Sequence, residues 1–286
     1  MNNLQLFMRL YMYELELWLN KHKKDLMKIS FQSDEANTDR PLKEFLKQAI
    51  ENYCRSITTL KYISDIKINN ETFSINDNVR NASVNRVLLQ DDITPQIKNL
   101  LQVRKNAVFT KPDLCLEIII EGNIQYETIE LKSTKDNSIP GSSVQQITPE
   151  EWVIFVKHNN GNIEVTTGQY FYAINSKMQF PDRSPRPQVS FSELQKWNDQ
   201  YRCKTGNIIT YTSMGDEMEK YGLLTDWQGV LAKRWTEIVF AGNPKKNDPW
   251  FNNNLRKFII EFLQVYDSMT PNQKQQYKNY LLSIIK

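Results

Sequence analysis

The sequence predicts a mixed α/β fold, in the α+β sense of helical segments packed around a central sheet, and three observations predict it. Apolar residues from Pro41 to Tyr53 recur at helical spacing, those from Asp113 to Ile174 alternate with the period of a strand, and from Ser190 onward the helical signals return. No internal repeat and no linker-like boundary breaks this order. The 286 residues therefore read as one domain: a helical N-terminal part over about 1–60, a sheet over about 108–175, and a helical C-terminal part over about 190–286.

The first predicted helix runs from Leu4 to about Met27 and is rich in Leu, Met and aromatics, suited to packing on the core or on a partner. The clearest helix starts with Pro41 in a first-turn position and carries Leu42, Phe45, Leu46, Ala49, Ile50 and Tyr53 on one face, with Glu44 and Glu51 pointing the other way. Residues 61–109 are polar and Asn-rich, with short apolar pieces that carry no assignment. Leu114, Leu116, Ile118 and Ile120 then alternate with Asp113, Cys115, Glu117 and Ile119, and Gly122-Asn123 offers a two-residue turn into a second strand, Ile124 to Ser133. Trp152–Val156 and Glu164–Ile174, separated by Asn159-Asn160-Gly161-Asn162, complete a sheet of about four strands. Helix-start signals follow at Ser190-Phe191-Ser192-Glu193 and Thr225-Asp226-Trp227-Gln228, and two last helices are expected over Leu255–Tyr266 and Asn272–Ile285, the latter after Thr270-Pro271.

Composition narrows the function classes. Hydrophobic residues at 40%, aromatics at 11% and only 9 Gly and 11 Pro exclude a disordered or collagen-like chain. Three scattered cysteines and two histidines leave no disulfide framework, Cys-rich zinc site or His-rich metal centre to build. A formal charge of +3 permits nucleic-acid binding without demanding it. No stretch approaches the roughly 18 consecutive apolar residues of a membrane span, and the start lacks a charged region before an apolar run, so a cytoplasmic location is expected.

The chemistry concentrates on the predicted hairpin. With the turn at Gly122-Asn123, Glu121 pairs with Ile124 and Asp113 with Lys132. Opposed residues share a face, as do residues two apart, so Asp113, Glu130 and Lys132 converge at one end. Leu114, Leu116, Ile118, Ile120, Ile129 and Leu131 take the other face, and a one-residue slip would separate Asp113 from its two companions. Two neighbouring carboxylates require a cation, and oxygen ligands without His or Cys favour Mg²⁺, with Mn²⁺ as a substitute. A lysine beside them can orient an attacking water or offset charge developing at phosphorus, which together is equipment for phosphodiester hydrolysis.

Pro112-Asp113, sixteen intervening residues, and Glu130-Leu131-Lys132 resemble the PD-(D/E)XK nuclease signature on a β-hairpin. The resemblance implies a restriction-endonuclease-like core, a central mixed sheet of four to five strands flanked by helices with helical N- and C-terminal additions, and Mg²⁺-dependent cleavage of double-stranded DNA. Chain length and the absence of helicase or ATPase motifs make the chain most similar to the type II restriction endonucleases of bacteria and archaea, which need no nucleotide cofactor. At the matching positions, Asp113 and Glu130 would hold the metal with help from the backbone carbonyl of Leu131, and Lys132 would assist the water. Cleavage of both strands would come most simply from a homodimer on a two-fold site, with interface helices from the apolar N- or C-terminal segments. The alternatives are a structure-specific or repair nuclease of the same fold, and a non-catalytic DNA-binding or interaction protein whose hairpin charges are incidental. The second acidic-X-Lys match, Asp65-Ile66-Lys67, lacks an upstream Pro-Asp and reads as solvated surface.

Weaker candidates surround this core. Lys135, Asn137, Ser138, Ser142 and Ser143 lie in a polar loop after Lys132 where side-chain donors and amides near Gly141 suit phosphate contacts. Gln146 and Glu51 are possible additional site residues, because related nucleases recruit a polar residue after the hairpin or a carboxylate, Glu51 or Glu44 here, from the early helix. Lys177, Arg183 and Arg186 stand among Pro181, Pro185 and Pro187 in a stiff basic loop suited to a groove or phosphate track. Cys115 shares the face of Asp113, but no paired His supports a nucleophilic role.

Overall fold

The computed structural model describes residues 1–29, 40–104, 112–141, 148–159, 161–178, 187–212, 217–241 and 249–285. The chain divides into two compact units, Met1–Trp227 and Gln228–Lys286. In order, the elements of the first are α1 (Asn3–Lys21), α2 (Lys23–Leu26), α3 (Arg40–Tyr53), β1 (Asp65–Ile68), β2 (Glu71–Ser74), α4 (Asp77–Arg80), β3 (Ser83–Leu88), α5 (Pro95–Arg104), β4 (Leu114–Ile120), β5 (Asn123–Thr134), β6 (Ser138–Pro140), β7 (Trp152–Asn159), β8 (Asn162–Gln169), α6 (Tyr170–Ala173), β9 (Ile174–Met178), β10 (Pro187–Ser190), α7 (Phe191–Tyr201), β11 (Arg202–Thr205), β12 (Ile208–Tyr211) and α8 (Glu217–Thr225). The second is helical, with α9 (Trp227–Ala241), α10 (Pro249–Ser268) and α11 (Pro271–Ile284).

Five strands form the central sheet in the order β3-β4-β5-β7-β8. It is mixed, since β5 and β7 run parallel while the other neighbours are antiparallel. Both faces of β4 are covered over most of its length: Leu114, Leu116, Ile118 and Ile120 are buried on one, and Cys115 and Glu117 on the other, where Ile119 near the turn is exposed. A strand buried on both sides reads as a near-continuous apolar run, and Leu114–Ile120 is one. The leading helix belongs to this core. Its Leu6, Phe7, Leu10, Met12 and Leu15 are buried, and Glu16 ties it to β8 by accepting the Thr167 N–H at 2.6 Å and to β11 by pairing with Arg202.

The hairpin turn differs from expectation. Its two turn residues are Glu121 and Gly122, both with positive φ (55° and 73°), and Ile120 pairs with Asn123. A two-residue turn of this hand needs two consecutive left-handed residues, and the Asn123 side chain secures it by donating to the Glu121 carbonyl at 3.1 Å. Moving the turn by one residue slides the register by two. Every residue therefore keeps its predicted face, while its partner changes: Leu114 lies opposite Ile129, and Asp113, one step before the strand, falls level with Glu130 rather than Lys132.

Other stretches are also corrected. Residues 61–104, which carried no assignment, hold β1 to β3, α4 and α5, and β3 supplies an edge of the central sheet, while 105–109 lie outside the described residues. The expected strand over 164–174 ends at Gln169, where α6 separates β8 from β9. The C-terminal part is interrupted by the β11–β12 hairpin, which joins a four-stranded sheet of order β11-β12-β1-β2. Asp65, at the start of β1, takes hydroxyls from Ser64 and Ser74 in a solvated setting, as expected for the second acidic-X-Lys. A three-stranded antiparallel sheet, β6-β10-β9, follows the hairpin.

Within the second unit, Thr270 caps α11 by accepting the Gln273 N–H, and Pro271 occupies its first turn. Phe262 of α10 stacks on Tyr266 and meets Tyr277 of α11. Among the described residues no helix is long and apolar enough to cross a membrane.

Candidate active site

At one end of the central sheet the chain brings together Asp113, just ahead of β4, and Glu130 and Lys132 of β5. Asp113 Oδ2 accepts the backbone N–H of Leu131 at 2.8 Å, which fixes the carboxylate against the Glu130-Leu131-Lys132 segment. Lys132 Nζ donates to Glu130 Oε1 at 2.7 Å. A fourth group arrives from α3, where Lys43 Nζ lies 2.7 Å from Asp113 Oδ1. The cluster is recessed but not sealed: the side chains of Lys43 and Asp113 are 18% and 19% exposed, those of Lys132 and Glu130 13% and 17%.

Electrostatics follow from this crowding. Burial, then the charge of Glu130, pushes the Asp113 carboxyl above its ordinary value, against the opposing pull of Lys43 and the Leu131 N–H. Burial by itself would depress the Lys132 ammonium, yet Glu130, Tyr170 and Asp113 hold it above the ordinary lysine range. Lys132 is therefore a fixed cation at neutral pH, suited to orienting a water or an anionic oxygen and unsuited to accepting a proton. Tyr170, in α6, is fully buried, and its hydroxyl lies near Gly141.

The donor set fits a hard divalent cation. Asp113 and Glu130 offer carboxylate oxygens, and the Leu131 N–H and C=O project to the same edge of an extended strand, so that carbonyl faces the side on which Asp113 sits. Among the described residues no group of three or more His, Cys, Asp or Glu side chains is placed to hold a metal. The protein's share would be two carboxylates and one carbonyl, the remaining positions of a roughly six-coordinate ion falling to water and substrate.

The remaining candidates scatter. Glu51 accepts the Val87 N–H at 2.8 Å and Glu44 pairs with Arg40 at 2.8 Å, so the side chain of α3 that meets Asp113 is Lys43. Asn137 receives Lys157 Nζ at 2.7 Å, Ser138 sits in β6 opposite Ser190, and Lys135 is exposed. The Gly141 amide donates to the Pro187 carbonyl at 2.9 Å and thus serves the chain itself rather than a phosphate. Ser142, Ser143, Gln145, Gln146, Arg183, Arg186 and the Lys177 side chain lie outside the described residues. Cys115 is fully buried, in a cluster with Leu88, Ile97 and Leu101.

Sequence reasoning missed Lys43 and Tyr170. For Lys43 a signal exists: Lys43, Lys47 and Glu51 recur every four residues along α3, beside its buried stripe of Leu42, Leu46, Ala49 and Ile50. Each reaches a different point: Asp113, Asp92 and the Val87 amide. Nothing near Tyr170 in the sequence indicates Lys132. No family model, no curated protein and no solved structure matches this chain.

Proposed function

We propose that this protein is a Mg²⁺-dependent, sequence-specific endonuclease that hydrolyses phosphodiester bonds of double-stranded DNA, in the manner of a type II restriction endonuclease. The observation that carries this reading is the Leu131 N–H to Asp113 contact, which joins the Pro-Asp and Glu-X-Lys segments into one cluster. Their resemblance to the PD-(D/E)XK signature and a mixed five-stranded sheet beneath them support it. Bound Mg²⁺, with Mn²⁺ as a substitute, would supply Lewis-acid polarisation of the phosphate and a more acidic water. Asp113, Glu130 and the Leu131 carbonyl would hold the ion. The Lys132 ammonium, kept charged by Glu130, orients the attacking water and offsets charge growing on the phosphate oxygens.

The same reading gives a cytoplasmic bacterial or archaeal restriction enzyme acting as a homodimer. The apolar residues that α10 and α11 expose, among them Phe258, Ile260, Val265, Leu282 and Ile284, support a contact with a second copy. One observation favours a second, non-catalytic reading. Each carboxylate already has an ammonium partner at 2.7 Å, as in a purely structural ion-pair network.

Incubation with long unmethylated DNA, with and without Mg²⁺, beside Asp113→Ala and Lys132→Ala, separates the readings. Discrete fragments that need Mg²⁺ and vanish in both variants are expected. A smear identifies a repair-type or structure-specific nuclease, and uncut DNA across varied sequences and metals favours the non-catalytic protein.

A further inference from the structure

We infer that Lys43 is a built-in counter-ion that holds Asp113 in the metal-free protein and competes with the divalent ion for it, so that ion binding and release of Lys43 are a single exchange. The inference rests on the metal-dependent reading above and adds a residue that the hairpin signature does not contain.

The geometry argues for exchange rather than coexistence. Lys43 Nζ and the Leu131 N–H occupy one oxygen each of the Asp113 carboxylate, at 2.7 and 2.8 Å. A divalent ion taking Asp113 at ordinary coordination distance must approach an oxygen that already carries a cationic or backbone donor. The backbone donor is fixed by the register of β5, whereas the lysine sits on a flexible four-carbon stem that can swing away. Charge counting points the same way. In their ionised forms Asp113, Glu130, Lys43 and Lys132 sum to zero, so these four groups balance one another without a metal. An ion added with both lysines in place would leave a partly buried excess of about two positive charges. Lys132 is tied to Glu130 on the same strand, while Lys43 comes from a separate helix and is the more exposed of the two ammonium groups, at 18% against 13%. Lys43 is the group free to leave.

The test measures ion binding, not cleavage. Mn²⁺ binding to the full chain is followed by calorimetry and by the Mn²⁺ electron paramagnetic resonance signal at mildly alkaline pH, where carboxylates are ionised. It is measured for wild type, Lys43→Met, Lys43→Arg and Lys47→Met. Lys43→Met is expected to bind Mn²⁺ about tenfold more tightly, the equivalent of one charge-assisted contact no longer broken on binding. Lys43→Arg should stay near wild type. Lys47→Met removes the same charge one turn along, from a lysine paired with Asp92, and should change affinity less than about twofold at ordinary salt. Without metal, Lys43→Met should melt below wild type and show the larger Mn²⁺-induced rise in Tm.

If wild type binds Mn²⁺ and cuts DNA while folded Lys43→Met binds no more tightly, or if Lys47→Met tightens binding equally, the counter-ion role is overturned and the nuclease reading stands. If wild type binds no divalent ion, both fall. Should Lys43→Met fail to fold, Lys43→Gln, which can still hydrogen-bond Asp113, carries the same comparison.

Discussion

Replacing Lys132 with Met removes the ammonium from the recessed end of the sheet and keeps most of its stem. Glu130 then loses its 2.7 Å partner and faces Asp113, with Lys43 the remaining ammonium of the quartet. Breaking a fully buried pair costs about 3–5 kcal/mol; at 13% and 17% exposure water recovers part of that, so about 2–3 kcal/mol is expected for the metal-free protein. For a unit of this size that is a fall in Tm of about 5–10 °C. The loss should shrink when Mg²⁺ is added, because the ion takes over neutralisation of the two carboxylates, and also on acidification, because a protonated carboxyl no longer needs a cation. Thermal unfolding of wild type and Lys132→Met near neutral pH, in EDTA and in excess Mg²⁺, reads all of this, and cleavage of DNA should be absent from the variant throughout. A metal-free loss under about 0.5 kcal/mol, or a Tm difference that Mg²⁺ leaves untouched, would refute the picture of two carboxylates held together by cations.

Gly141→Ala places a Cβ 2.4 Å from the Pro187 carbonyl oxygen, 2.6 Å from the Tyr170 hydroxyl and 2.7 Å from Val189. Because the nearest atom is backbone, relief requires β6 and β10 to part, and denaturant unfolding should show a loss of about 2–3 kcal/mol. Glu117 is buried and accepts from Arg86, Asn85 and Tyr126, with Arg86 foremost in holding its carboxyl below the ordinary value of 4.5. Glu117→Gln should cost about 1.5–3 kcal/mol near neutral pH. A carboxyl with a lowered folded pKa stabilises above its unfolded value, so the difference from wild type should narrow as pH falls below 4.5, followed by Tm against pH. Asp113 carries the opposite sign: its folded pKa is raised, so its contribution is fully present below about 3.8 and lost as pH rises through the raised value. Metal-free Asp113→Asn should therefore gain on wild type between about pH 4 and neutrality, and added Mg²⁺, which binds the ionised form in wild type, should reverse the trend.

Much of the architecture was legible because local periodicity survives folding. The helix expected from Pro41 to Tyr53 is α3, the pair expected near Leu255–Tyr266 and Asn272–Ile285 is α10 and α11, and Ser190 caps α7 as its pattern indicated. Residues 61–82 were not legible, since β1, β2 and α4 are only four residues long, too short to show a period.

By itself the sequence determined that Asp113, Glu130 and Lys132 share one face of a hairpin, because alternation has period two and survives a turn placed one residue away. It could not decide which residue lies level with Asp113, since that depends on which two residues take left-handed φ; Glu121 and Gly122 do. Nor could it decide what neutralises Asp113. That is Lys43, 70 residues earlier, and only the packing of α3 beside the sheet brings a charge from that distance into contact. Periodicity assigns faces within a segment, whereas the partner across an interface is chosen by the shapes of two packed elements, and no local pattern records that.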